Sequence, residues 1–150
     1  MAVRRAGNEN LSRSKTVTVR LNPKLHYLAE IAARKQHRTL SSFVEWAVQE
    51  SLEKIILKDV RNLDDDVTLS DIADQLWDID EADRLIKLAS MYPDLMDFNE
   101  QRLWKVIREN SEFIRTGRLK PTHIRKHWES IQEYASGEIG DDEFKRIISG

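Results

Sequence analysis

The chain has 150 residues, 40% of them hydrophobic and 33% charged, with no cysteine and a formal net charge of −2. That length accommodates one domain or two small ones, and the composition suits a helix-rich soluble fold. Without cysteine there is no disulfide framework and no thiolate metal site, and no segment is apolar for long enough to span a bilayer.

The net charge conceals a division. Residues 1–63 hold 12 Lys and Arg against 6 Asp and Glu, a balance of +6, whereas residues 64–150 hold 12 against 20, a balance of −8. A basic front joined to an acidic back points to a polyanionic partner for the front. Residues 1–14 are polar and aperiodic and read as a flexible basic arm carrying Arg4, Arg5 and Arg13. With arginines but no apolar run behind them, they are not expected to act as a secretory leader, and a cytoplasmic location is the expectation.

Lys15, Val17, Val19 and Leu21 alternate with Thr16, Thr18 and Arg20, the two-residue period of a β-strand with one buried face. Asn22-Pro23 then marks a helix start, because proline disfavours a helical Asn22 while its own fixed φ suits the first helical position. This first helix is predicted to run to about Gln36, with Leu25, Leu28, Ile31 and Ala32 at helical spacing. Thr39 can cap a second helix, predicted to reach about Lys58 through Leu40, Phe43, Val44, Ala47, Val48, Leu52, Ile55 and Ile56.

Residues 59–68, with three consecutive aspartates and no periodicity, are the expected acidic linker. Residues 69–150 are expected to form an all-α domain of four or five helices. Thr68 with Asp71 and Asp80 with Asp83 look like helix-start pairs. Pro93 closes one helix, Leu103, Trp104 and Ile107 line another, and Pro121 opens the next with Ile124, Trp128 and Ile131 inward. Gly137 and Gly140 read as stops before a last short helix. Trp77, Trp104 and Trp128 are expected in the core of this region.

A single strand leaves its backbone groups unpaired along both edges, and nothing else in the sequence reads as a strand. The economical partner is the same strand from a second copy, giving a two-fold antiparallel ribbon. Val17, Val19 and Leu21 would face the helices and share a dimer core with Leu28, Phe43 and Ala47. The opposite face would present Thr16, Thr18 and Arg20. A two-stranded ribbon fits the major groove of B-DNA, where arginine can donate two hydrogen bonds to guanine and threonine can donate, accept or meet the thymine methyl.

The segments TVTVRLNP, KLHYLAEIAARKQ and RTLSSFVEWAVQESL, covering about residues 15–57, resemble the ribbon-helix-helix transcription regulators of the Arc and MetJ kind. The resemblance implies that Thr16, Thr18 and Arg20 read bases. It also implies that Thr39, Leu40 and Ser41, at the start of the second helix, anchor phosphates, the last two through main-chain N–H groups. Arg13 and Lys15 would add phosphate contacts. Many members of that family have glycine in the turn between the helices, where this chain has Gln36-His37-Arg38, with His37 expected to take the awkward backbone angle.

The resulting expectation is a mainly α protein: a ribbon-helix-helix dimer over residues 15–58, then the linker and the helical domain. Its function would be sequence-specific DNA binding, most simply as a repressor on a palindromic or tandem operator, where two dimers would form a tetramer. The alternative is an antitoxin that autoregulates its operon and neutralises a toxin through residues 69–150, a region that is otherwise open to an effector or another protein partner. His123 and His127 have metal-ligand spacing without a third ligand. The basic cluster at 115–127 is set to touch DNA or a partner, or to balance neighbouring acids. No nucleophile motif, phosphate-binding glycine loop or HExxH is present, so neither an enzyme nor a cofactor is expected.

Overall fold

The computed structural model describes residues 15–59, 62 and 64–150, and the basic arm with Arg4, Arg5 and Arg13 lies outside them. The chain divides into two compact units, one ending at Ile55 and the other spanning Ile56–Gly150. The described residues are mainly helical, with two small antiparallel sheets.

In the first unit, helices α1 (Pro23–Lys35) and α2 (Leu40–Leu52) pack on each other. Asn22 starts α1 by accepting a 2.9 Å hydrogen bond from the Leu25 N–H, with Pro23 in the first turn, where its missing N–H costs nothing. The end of α1 is closed by the Gln36 N–H on the Ala32 and Ala33 carbonyls, then by the Arg38 N–H on Ala33 at 2.9 Å. Between them His37 turns left-handed at φ 55°, an angle that histidine tolerates better than a β-branched residue. Thr39 starts α2 by accepting from the Ser42 N–H at 3.1 Å.

Two expectations change here. The second helix stops at Leu52, and Ile56–Lys58 is instead a strand, β1, paired antiparallel with β2 (Asp66–Thr68). A short run such as Ile-Ile-Leu has no period long enough to separate helix from strand, so its pairing partner decides. The aspartate-rich stretch thus supplies one strand of a hairpin, in which Lys58 meets Asp66 at 2.5 Å. Residues 15–22 belong to no helix and no ladder within the chain.

The second unit continues through α3 (Ala73–Leu76), α4 (Glu81–Met91), α5 (Phe98–Glu109), a hairpin of β3 (Ile114–Arg115) and β4 (Arg118–Leu119), then α6 (Pro121–Lys126), α7 (Trp128–Ser136) and α8 (Asp141–Ile148). Six helices and two hairpins among the described residues replace the expected all-α domain. Its core gathers Ala82, Leu85 and Ala89 from α4, Ile107 from α5, and Phe113, Ile124, Ile131, Phe144 and Ile148 from the segments beyond α5. The α4 residues fall at i, i+3 and i+7, one helical stripe. Trp104 and Trp128 pack against this core, but Trp77 does not: it is 61% exposed, with the Arg84 guanidinium 5.0 Å from its ring centre. A tryptophan whose face is covered by a cation does not need burial.

Of the expected helix starts, Thr68 with Asp71 closes the turn after β2 and caps no helix, since α3 begins at Ala73 without a side-chain cap. Thr68 and Asp71 bond reciprocally, Asp80 accepts from the Ala82 N–H, and Asp97 with Glu100 forms a complete capping box on α5. Asp83, expected to help cap α4, instead binds Arg125 at 2.6 Å. Gly137 ends α7 at φ 87°, a conformation that suits glycine.

Candidate nucleic-acid interface

The residues expected to read DNA lie in two stretches of the first unit. Lys15, Thr16, Thr18 and Arg20 are all exposed. Val17 and Val19 are exposed as well, at 79% and 64%, while Leu21 is half-buried. Within one chain, therefore, the alternating segment has no buried face. Arg13 lies outside the described residues.

Thr39, Leu40 and Ser41 form the start of α2. The Thr39 hydroxyl is committed to the Ser42 N–H, and its carbonyl accepts from the Phe43 N–H at 2.9 Å. The N–H groups of Leu40 and Ser41 have no acceptor among the described residues. The first turn of α2 contains no acidic residue, as is also true of α1 and α6, whereas α4, α5 and α8 each carry acids there. Free N–H donors at a positive helix end, without a resident carboxylate, leave a place for an external anion.

The expected core residues of the first unit are only partly covered. Ala29 and Ala33 are the buried apolar side chains among its described residues. Phe43 and Ala47 are half-buried, and Leu28 is 49% exposed. Leu25, Ile31, Val44, Val48 and Leu52 join Val17 and Val19 among the exposed large apolar residues. On α2 the Trp46 ring lies 5.6 Å from Phe43 and beneath the Arg38 guanidinium.

In the second unit, His123 and His127 meet edge to face at 4.5 Å, and His123 Nε2 lies 3.0 Å from the Ile148 carbonyl oxygen. No group of three or more metal-ligating side chains occurs among the described residues. An open groove of about 670 Å³ runs along α5, lined by Phe98, Arg102, Trp104, Lys105 and Arg108. The periodicity of α5 predicts its buried side but gives no sign of this groove on the other. Among the described residues no helix is long and apolar enough to cross a membrane.

No family model, no curated protein and no solved structure matches this chain.

Proposed function

We propose that the chain is a homodimeric, sequence-specific DNA-binding protein that regulates transcription as a repressor and is not an enzyme. In this reading two copies of residues 15–21 pair as an antiparallel ribbon. Val17, Val19 and Leu21 are covered by the helices of both copies, and Thr16, Thr18 and Arg20 enter the major groove. The N-terminal ends of the two α2 helices hold the flanking phosphates through Leu40 and Ser41, and Lys15 adds charge beside them.

The observation that carries the proposal is the exposure of apolar side chains throughout the first unit, next to a segment with no backbone partner. Large apolar side chains left uncovered in this number point to an interaction site. A second copy covers it and satisfies the strand edges in one step. The acid-free start of α2 supports the phosphate contacts.

The test is selection from a random duplex pool at physiological salt, with wild type and Thr18→Ala/Arg20→Ala in parallel. An inverted or tandem repeat enriched by wild type and lost by the variant is the expected result. A folded dimer that enriches nothing would refute base reading by the ribbon.

A further inference from the structure

The first unit does not account for the basic cluster that begins at Arg115. In the β3–β4 hairpin, Ile114 pairs with Leu119 and Arg115 with Arg118. The base is firmly held: Phe113 is fully buried, Leu119 packs on the core, and the Lys120 N–H donates to the Phe113 carbonyl at 2.8 Å. The two-residue loop, Thr116-Gly117, has φ 49° and 76°. Two successive positive φ angles match the twist of a tight hairpin, yet a β-branched threonine takes such an angle at a cost. The turn is therefore imposed on the chain and fixes what its tip presents.

Two arginines stand directly across from each other at that tip, both exposed. Like charges in that relation destabilise a strand pair. Neither arginine has an ion pair or a side-chain hydrogen bond among the described residues, and the adjacent acid, Glu112, pairs with neither. Lys120 and Lys126, close behind in sequence, also lack an acid partner. Elsewhere in the same unit Arg84, Lys87, Lys105, Arg125 and Lys145 each meet a carboxylate, whereas Arg102, Arg108 and Arg146 share the lack of one among the described residues; what sets the tip apart is two such arginines held face to face. In a region whose balance is −8 over residues 64–150, acids are plentiful, but none neutralises this tip.

We propose that the β3–β4 tip is a second contact for the phosphate backbone of duplex DNA, made by the guanidinium groups of Arg115 and Arg118. Arginine matches a phosphate with two parallel donors, and a phosphate between the two side chains removes their repulsion. The contact carries no sequence information of its own; it adds affinity and salt dependence to a complex whose bases are read elsewhere. The inference rests on the DNA-binding reading above.

The experiment uses the full chain and a duplex extended well beyond the sequence it enriches. Binding is measured over a series of salt concentrations for wild type, Arg115→Ala/Arg118→Ala, Arg115→Lys/Arg118→Lys and Arg20→Ala, with thermal melts to verify folding. The double alanine variant should bind more weakly and lose about 1.8 from the slope of log affinity against log salt, at about 0.9 per lost phosphate and one phosphate held at the tip of each copy of the dimer. It should keep the wild-type base preference, and the lysine variant should keep most of the slope. Arg20→Ala should show the opposite pattern, with altered base preference. A double alanine variant with the wild-type slope overturns the tip contact while leaving base reading intact. A wild-type protein that binds no duplex overturns both.

Discussion

Arg20 governs base choice in the proposed complex, because it is the one strand residue able to give two hydrogen bonds to a single guanine. Arg20→Ala is expected to weaken operator binding by about 1–3 kcal/mol per lost bidentate contact and to relax selection at that base. Competition with single-base operator variants measures this, and unchanged discrimination would place Arg20 on the wrong face of the ribbon. His127 is a residue of another kind. It is 7% exposed, and its Nε2 has no partner. Burial first, then the nearby His123 and Lys126, hold its pKa below the ordinary imidazole range. Between that lowered value and the unfolded value of about 6.5, the unfolded chain binds a proton that the folded chain does not. The stability from His127 is complete above the unfolded value and is lost as pH falls through the folded one. Urea midpoints for the second unit should therefore decline as pH falls below the unfolded value of about 6.5, and His127→Leu should flatten the decline. An equally steep decline in the variant would assign it to other groups.

At the scale of elements, α2 depends on its first residue. Thr39→Ala removes the acceptor for the Ser42 N–H and should cost about 0.5–2 kcal/mol. Thr39→Ser should restore most of it, since the hydroxyl is what caps. Denaturant titration of the first unit decides, and equal losses in both variants would point to the threonine methyl instead. The starts of α1 and α2 were legible in the sequence for the same reason: Asn22-Pro23 and Thr39 act on amides a few residues away, so their effect is local. Gly137 was legible likewise, and so was His37 as the residue taking a left-handed turn. Features that depend on a distant partner could not be read. Ile56 and Leu57 look helical until Val67 and Thr68 are known to lie opposite. Ile114–Leu119 is too short for a period, and no hairpin was expected there. Trp77 fits a core spacing, but whether it is buried depends on Arg84. Of the candidate interface, residue types and order were readable; which apolar faces remain uncovered was not.

At the scale of the whole molecule, the two units differ in how they are held together. Residues 56–150 enclose a core with Ile107, Phe113, Ile124 and Ile131 at 0% exposure, enough to fold without a partner's side chains. Among its described residues the first unit buries only Ala29 and Ala33, and removing two alanines from water recovers little of the entropy lost in ordering two helices. If a second copy supplies the missing contacts, the first unit's unfolding is tied to dissociation and its midpoint rises with protein concentration. The second unit's midpoint should not move. Ile107→Ala should then destabilise the second transition by about 2–5 kcal/mol and leave the concentration dependence of the first intact. Val19→Asp should do the reverse: a carboxylate buried in the ribbon core prevents pairing, so the first transition is lost and the second persists. Denaturant titrations at widely separated protein concentrations, followed by amide exchange to assign each transition to its unit, distinguish these outcomes. A first transition independent of concentration would mean that α1 and α2 are stable with their apolar faces open, and the ribbon would lose the physical reason for its dimer.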